Sequence, residues 1–213
     1  MKEKLILIGG GGHCKSCIEV IESTGKYDIV GILDTPEKVG EMILDYKIIG
    51  TDADIIKFIE KGITNYFVTV GQIKTATLKK KLFENIEHHE GVSPVIISSS
   101  AIVSKRTNIN VGTIIMHGAK VNADAVVGKN CIINTMANIE HDVIIGDHVH
   151  ISTGAVVNGE VKIGDEVMVG SSVVIRNGVS ICDNVVIGAG SVVVKDITEQ
   201  GMYIGNPLKN IQK

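Results

Sequence analysis

Isoleucine and valine recur at every sixth position through the second half of the chain. In steps of six from Ile97 to Val193, all 17 positions hold one of these two residues. A second series, four residues after each of them, holds mainly small or apolar residues from Ala101 to Ile197. A six-residue repeat is typical of a parallel β-helix, in which each hexad forms one strand and one turn and three hexads complete a coil. The pattern predicts between five and six coils whose isoleucine and valine side chains point inwards.

The first half shows a different alternation, of short apolar runs with segments of helical spacing. These patterns predict strands at 4–8, 29–33 and 66–70. They also predict a helix at 15–23, a second helix at 52–61 that is capped by Asp52, and a third helix after Gly71 that buries Leu78, Leu82 and Phe83. Strands that alternate with helices favour a small parallel sheet covered by helices. We interpret Val92-Ser93-Pro94 as a junction. We therefore expect an α/β, Rossmann-like domain at 1–92 and an all-β domain, the parallel β-helix, at 93–213.

Composition narrows the classes of partner. The 213 residues carry a formal net charge of -3 and only 3% aromatic residues, so neither a basic nor a base-stacking surface for nucleic acid is expected. No apolar stretch approaches the ~18 residues of a membrane span. The apolar run near the start of the sequence is too short for a signal peptide. The four cysteines are too few and too scattered for a disulfide framework, which favours a reducing compartment. We expect a cytoplasmic protein that binds neither nucleic acid nor membranes.

A glycine-rich loop, Gly9 to Gly12, separates the first predicted strand from the first predicted helix. Backbone N–H groups at such a turn, together with the helix N-terminus, suit a phosphate group. Asp34 ends the second predicted strand, where its carboxylate could bind a base or a ribose. The third glycine of G-x-G-x-x-G is absent, because Cys14 or Lys15 occupies its place, and NAD binding is therefore disfavoured.

Five segments resemble one family of sugar acetyltransferases. They are NTMANIEHD at 134–142, IGDHVHIS at 145–152, IGNPLK at 204–209, IGGGGH at 8–13 and ILD at 32–34. This family holds the sialic acid O-acetyltransferases and the bacterial N-acetyltransferases of nucleotide-linked 4-amino-sugars, and the resemblance covers nearly the whole chain. It implies a left-handed parallel β-helix after a Rossmann-like nucleotide-sugar domain, acetyl-CoA lying along the prism, and direct transfer without a covalent intermediate. It also implies a homotrimer with active sites between neighbours, with which outward Ile144 and Val156 are consistent.

The resemblance assigns the general base to His141. A neutral imidazole suits the removal of a proton from an attacking amine or hydroxyl near neutral pH. His141 follows the inward Ile139 by two residues, so it should lie at a turn and point outwards. Asp142 occupies the place of the family's usual orienting acid, and Glu140 on the other side of the histidine is the alternative.

Further residues are assigned by the resemblance to the coenzyme and the acceptor. His150 would orient the acetyl group, and the backbone N–H of Gly159 would stabilise the thioester oxygen. The alternative for Gly159 is a turn glycine at positive φ, and the two are compatible. The other expected contacts are Ala189, Gly190, Gly205 and Pro207 with acetyl-CoA, Asn134 with the acceptor sugar, and Gly11, Gly12, His13 and Asp34 with the nucleotide. The segment at 71–74 departs from the polar, Arg-containing segment that is more usual in the family.

The leading hypothesis is an acetyl-CoA-dependent N-acetyltransferase for surface glycan synthesis. Its acceptor would be the amine of a nucleotide-linked amino-dideoxy sugar of the UDP- or dTDP-4-amino-4,6-dideoxyhexose type, and O-acetylation of a sialic or related nonulosonic acid is the alternative. A metal hydrase of the γ carbonic anhydrase type is disfavoured and no metal is expected, because the spacing of its three histidines is not matched by His117, His141, His148 and His150. A non-catalytic nucleotide-sugar sensor would bind the nucleotide without transferring an acetyl group.

Overall fold

The computed structural model describes residues 2–72 and 74–211, and its first part is a sheet flanked by helices. The strands are β1 (Glu3–Ile8), β2 (Tyr27–Leu33), β3 (Met42–Ile43), β4 (Tyr46–Gly50) and β5 (Asn65–Val68), in the order β3-β4-β2-β1-β5. All neighbours are parallel except the β3–β4 hairpin. The helices are α1 (Gly12–Thr24), α2 (Ile55–Ile59) and α3 (Thr77–His88), with short 3-10 helices at Pro36–Lys38 and Asp52–Asp54. This confirms the expected α/β sheet. Within the described ranges no helix is long and apolar enough to cross a membrane.

Two details of the first part differ from the predictions. The β3–β4 hairpin was not predicted, because a two-residue strand carries too few positions for an alternating pattern. The expected cap of the second helix, Asp52, is also wrong. Thr51 is the last extended residue after β4, and it forms a reciprocal capping box with Asp54, whose carboxylate accepts the Thr51 N–H at 2.9 Å.

The second part is a three-sided prism of short parallel strands, as the hexad series predicts. Strands β6 to β22 are Ile96–Ile97, Ile102–Val103, Asn108–Ile109, Ile114–Ile115, Lys120–Val121, Val126–Val127, Ile132–Ile133, Asn138–Ile139, Ile144–Ile145, His150–Ile151, Val156–Val157, Lys162–Ile163, Met168–Val169, Val174–Ile175, Ser180–Ile181, Val185–Ile187 and Val192–Val193. Every third strand belongs to the same face, so β6, β9 and β12 begin the first face, β7 and β10 the second, and β8 and β11 the third. Paired residues lie 18 positions apart, as in Ile133 and Ile151.

The inward residue of each strand forms the core of the prism. Every member of the series from Ile115 to Val193 is buried, whereas Ile97, Val103 and Ile109 of the first coil remain partly exposed because no coil lies below them. The opposite end is closed by the tail, in which β23 (Gly201–Ile204) and β24 (Lys209–Asn210) extend the first face. Continuous burial of inward side chains accounts for the positive mean hydropathy of the chain.

The corners of the prism follow a backbone rule of their own. From Gly112 to Gly190, every sixth residue has a positive φ, and these residues include Asp124, Asn130, Met136, Asp142, His148, Glu160, Glu166, Ser172 and Asn184 as well as five glycines. A left-handed residue costs least for glycine, asparagine and aspartate, and it turns the chain from one face to the next. The third residue after each inward isoleucine or valine therefore turns the corner.

The N-terminal sheet and α1 pack on the first face of the prism. The outward residues Ile96, Ile114 and Ile132 share one buried cluster with Cys17 and Ile18 of α1. The next outward residue on this face pairs with Ile132 and is His150. Packing of α1 therefore covers the first face up to the position of that histidine. The boundary at residues 92 and 93 stays a prediction.

Helix α3 buries a different set of residues from the one expected. Leu78 is 58% exposed, whereas Lys79 is 2% exposed, and Leu82 and Phe83 are buried as predicted. The helix lies between the N-terminal sheet and a corner of the prism, so it has two buried sides. On the side of the prism, the ammonium of Lys79 donates to the backbone oxygen of Asn130 at 2.7 Å. A carbonyl oxygen of a corner turn thus replaces water around a buried charge.

Replacement of Ile151 by alanine tests the register of the prism. The side chain of Ile151 is fully buried in the core, so we expect a loss of about 2–5 kcal/mol in the free energy of unfolding. Ile56→Ala on α2 is a matched control, because Ile56 is 52% exposed, and we expect a change within about 0.5 kcal/mol. Urea denaturation of both variants measures the difference, and equal midpoints would contradict the register.

Candidate active site

His141 lies at the corner that follows β13, and its side chain is 56% exposed. Its Nδ1–H donates to Oδ2 of Asp142 at 2.7 Å. Asp142 is the left-handed residue of this corner, with φ at 60°, so the turn itself brings the carboxylate back towards the preceding ring. The hydrogen bond to Asp142, assisted by the charges of Glu140 and Glu160, raises the pKa of His141 above its ordinary value.

Glu140 takes up other partners in the structure. Its two carboxylate oxygens accept hydrogen bonds from the side-chain amides of Asn122, at 3.0 Å, and Asn138, at 2.7 Å. Of the two carboxylates that flank the histidine, Asp142 is therefore the one in contact with the ring. That Asp142 orients a catalytic base stays a prediction.

Gly159 lies one coil above His141 and touches its ring. A Cβ at residue 159 would stand 2.7 Å from Cε1 and 2.8 Å from Nε2 of His141, so no larger residue leaves the imidazole in place. The expected positive φ at Gly159 is wrong, because the left-handed residue of this corner is Glu160, with φ at 62°. Within the described residues, the N–H of Gly159 donates no hydrogen bond.

A second group of expected site residues lies on the first face, under the N-terminal domain. The side chain of His150 is buried by this docking, and its Nδ1 lies 3.0 Å from the backbone oxygen of Gln72. Its Nε2 lies 3.0 Å from the side-chain amide nitrogen of Asn134. Burial, and then the positive charge of Lys79, lower the pKa of His150 to about 3. Within the described residues, no hydrogen bond or ring contact joins this group to His141.

The third group of expected residues lines a cavity in the N-terminal domain. The cavity has a volume of about 710 Å³, and its wall includes Gly11, Gly12, His13 and Asp34. A Cβ at Gly11 or Gly12 would meet no atom within 4 Å, so both glycines border open space at the start of α1. The loop thus leaves N–H groups accessible at a helix N-terminus, which is where an anion is stabilised.

Asp34 and His13 have distinct electrostatic states in this cavity. Burial raises the pKa of Asp34, but the N–H groups of Thr35 and Gly10 and the ammonium of Lys38 together hold it below its ordinary value. The Gly10 N–H lies 2.5 Å from Oδ2, and Lys38 Nζ lies 3.2 Å from the same oxygen. Burial lowers the pKa of His13 to about 4, and its Nε2 is buried without a hydrogen-bond partner among the described residues.

The residues expected to line the coenzyme meet at one corner near the tail. Gly190 is the left-handed residue after β21, and the N–H of Gly205 donates to Oγ of Ser191 at 2.9 Å. The adjacent Ala189 and Pro207 lie in the two segments that this bond joins. A Cβ at Gly190 would meet no atom within 4 Å, so the surface here is open. Contact with acetyl-CoA at this corner stays a prediction.

Two residues of the site region were not identified from the sequence as participants. Gln72 follows Gly71 at the edge of the cavity, and it contacts His150 through its backbone oxygen. Lys79 reaches the corner of the prism below α3. The sequence carried a signal for Gln72, because its segment departs from the family pattern, but nothing in the spacing of α3 marked Lys79 as buried. Groups of three or more residues that could hold a metal ion do not occur in the described part of the chain.

Comparison with known proteins gives two family matches. Residues 4–86 match the PglD N-terminal domain, and residues 124–159 and 160–195 match the bacterial transferase hexapeptide repeat. A sequence comparison with curated proteins found no match.

Several solved structures are similar over the whole chain. A histidine-substituted perosamine N-acetyltransferase from Caulobacter crescentus, in complex with CoA and GDP-perosamine, is 30% identical to this chain, with a TM-score of 0.92. The match covers 99% of this chain and 97% of the relative. The acetyltransferase domain of PglB from Neisseria gonorrhoeae is 30% identical, with a TM-score of 0.90, and the match covers 99% of this chain and 100% of that domain. WeeI from Acinetobacter baumannii, at 18% identity and a TM-score of 0.84, shares the fold. These similarities confirm the expected left-handed β-helix with its N-terminal α/β domain.

Replacement of Asp142 by asparagine is expected to lower the pKa of His141. The carboxylate that raises this pKa is lost, so the neutral imidazole persists to lower pH, and any rate that depends on it keeps its value further into acid. NMR titration of the ring of His141 measures the shift directly.

Glu140→Gln is the matched control. The carboxylate of Glu140 is bound by two asparagines and affects His141 only through its charge, so we expect a smaller decrease in the pKa. An equal decrease in both variants would show that net charge, and not the contact with Nδ1, sets the pKa.

Proposed function

The chain belongs to the left-handed β-helix sugar N-acetyltransferases with a PglD N-terminal domain, and we propose that it acetylates the amine of a nucleotide-linked amino sugar with acetyl-CoA. One observation carries the proposal: an exposed histidine, paired at Nδ1 with Asp142, has its Nε2 side against a bare glycine. An imidazole whose Nδ1 is paired with a carboxylate and whose Nε2 has room for a substrate is the arrangement that accepts a proton during acyl transfer.

The residues around His141 can carry out each proton step. Acetyl-CoA supplies an activated acetyl thioester. We propose that Nε2 of His141 takes a proton from the amine as the amine nitrogen bonds to the thioester carbon. Asp142 stabilises the imidazolium that results, and the N–H of Gly159 stabilises the negative charge on the thioester oxygen. When the carbon–sulfur bond breaks, His141 returns the proton to the departing sulfur, so that the acetylated amine and CoA thiol are the products.

The cavity of the N-terminal domain suits the nucleotide part of the acceptor. We propose that the diphosphate lies at the open N-terminus of α1, beside Gly11 and Gly12, and that the nucleoside extends towards Asp34. His13 is held neutral and has a free Nε2 for a polar group of the acceptor. The proposed nucleotide is UDP or dTDP. The alternative to compare with it is GDP, because the Caulobacter relative holds GDP-perosamine.

We propose that the active site forms between subunits of a homotrimer. Within one chain, His141 lies at the corner after the second face, whereas Asn134 and His150 belong to the first face. Outward apolar residues on the two faces that meet at the His141 corner are exposed, including Ile144 at 46% and Val174, two coils above β13, at 39%. Burial of these residues against a neighbouring prism would bring the two groups together from different chains. Sedimentation should then give about three times the chain mass of 22.7 kDa.

We propose a cytoplasmic location for this reaction. Cys14, Cys17, Cys131 and Cys182 are all free thiols in the structure, which suits a reducing compartment. Both proposed substrates, a nucleotide-linked sugar and acetyl-CoA, belong to the same compartment of a cell that builds surface glycans.

Release of CoA thiol from acetyl-CoA tests the reaction. We expect turnover with UDP- or dTDP-linked 4-amino-4,6-dideoxy sugars, and the panel should include GDP-linked amino sugars and free and CMP-linked sialic acid. His141→Ala is expected to lower kcat by about 10²-fold or more, because the base is lost. His88→Gln, on the exposed end of α3, is the matched control and should leave kcat unchanged.

Two results would contradict the proposal. Turnover with sialic acids alone would change the reaction to O-acetylation. A His141→Ala enzyme that retains the wild-type rate would remove His141 as the base.

A further inference from the structure

Three hydrogen bonds connect the loop after β5 to the corner after β12 through His150. The backbone oxygen of Gln72 lies 3.0 Å from Nδ1 of His150, and Nε2 of the same ring lies 3.0 Å from Nδ2 of Asn134. At the far end, Oδ1 of Asn134 accepts the backbone N–H of Thr135 at 2.8 Å. The histidine is therefore the middle member of a chain that begins and ends on the backbone.

The two backbone ends determine the direction of every bond between them. A carbonyl oxygen only accepts, so Nδ1 of His150 must carry the proton that it donates to Gln72. A backbone N–H only donates, so the amide oxygen of Asn134 must face Thr135 and its NH₂ group must face His150. Nε2 of the ring therefore accepts a hydrogen bond from Asn134, and the ring is the neutral tautomer with its proton on Nδ1.

The surroundings of His150 oppose protonation of the ring. It is 7% exposed, and the groups that face it are the ammonium of Lys79 and the imidazole of His13, whose ring centroid is 6.3 Å away. The ammonium of Lys79 would repel a positive charge on His150, and the neutral imidazole of His13 offers no charge to stabilise one. A proton on Nε2 would also point at the NH₂ group of Asn134, so that the bond to Asn134 would be lost.

We propose that His150 is a positioning residue, fixed in the Nδ1–H tautomer, that aims the side-chain amide of Asn134 at the transfer site. This role replaces the direct contact with the acetyl group that the family resemblance implies, because the single N–H of the neutral ring is already donated to Gln72. One N–H of the Asn134 amide is bound by His150, and the second is left to donate to an oxygen of the reacting groups. The inference rests on the proposed function for the identity of that oxygen and on the proposed trimer for bringing Asn134 to His141, but on neither for the tautomer.

The loop that holds His150 also forms part of the wall of the nucleotide cavity. Gly71, the neighbour of Gln72, lines the cavity, and the side chain of Gln72 donates to the backbone oxygen of Glu166 at 3.2 Å. The loop is therefore attached to the prism at two points. Orientation of Asn134 thus depends on the docking of the N-terminal domain, and not only on the coil in which Asn134 lies.

Long-range ¹H–¹⁵N NMR of the full-length protein labelled with ¹⁵N-histidine tests the tautomer directly. We expect Nδ1 of His150 in the protonated shift range and Nε2 in the unprotonated range, without titration between about pH 5.5 and 8. The His150→Gln spectrum assigns the signals. Asn134→Asp should add a proton at Nε2 while Nδ1 keeps its own, because a carboxylate then faces Nε2 and the backbone oxygen of Gln72 still faces Nδ1. A wild-type ring with its proton on Nε2, or one that titrates in this range, would overturn the inference.

A double-mutant cycle of His150→Ala and Asn134→Ala tests the functional link. If His150 acts through Asn134, the double variant should have about the same kcat as either single variant, and the affinity for acetyl-CoA should change by less than about twofold. His150→Gln, whose side chain can still accept from Asn134, should recover part of kcat, with His88→Gln as the control. If the losses in kcat of the two single variants multiply in the double variant and acetyl-CoA binds more weakly, His150 contacts the acetyl group directly and the inference is wrong. If the wild type transfers no acetyl group, the proposed function fails, and the NMR result alone decides the tautomer.

Discussion

The left-handed residue at each corner from Gly112 to Gly190 is the constraint on which the rest of the structure depends. Each of these hexads buries one isoleucine or valine and must then change direction within four residues, so its third residue after the inward one adopts a positive φ. Only this spacing keeps the inward side chains of successive coils in register, 18 residues apart. A change in the number of residues at one corner would move every later hydrophobic side chain out of the core.

The same constraint creates the chemistry at the surface of the prism. Asp142 is at once the left-handed residue of its corner and the carboxylate that contacts Nδ1 of His141. The turn therefore supplies the orientation that another fold would need a separate strand or helix to supply. The 18-residue stacking likewise determines that residue 159 meets the ring from the next coil, where only glycine leaves enough room.

Docking of the N-terminal domain adds a second, weaker layer of organisation. Burial of apolar residues against Ile96, Ile114 and Ile132 holds α1 on the first face, and the ammonium of Lys79 in α3 donates to the backbone oxygen of Asn130 at a corner. These contacts bury His150 and place it near the charge of Lys79, so that the pKa of a histidine with an ordinary sequence context falls to about 3. The electrostatic state of the first face is thus a property of both domains together.

The sequence by itself determined the prism, because a period of six over nearly one hundred residues leaves a single arrangement that buries every isoleucine and valine. The register also placed His141 at an outward turn, two residues after an inward one, and the family resemblance marked it and both neighbouring carboxylates as candidates. Tertiary structure alone decided which carboxylate touches the ring, why residue 159 is glycine, and that Lys79 rather than Leu78 is buried. These outcomes depend on which atoms meet across coils and across domains, and a periodic pattern along one chain segment carries no information about distances between segments.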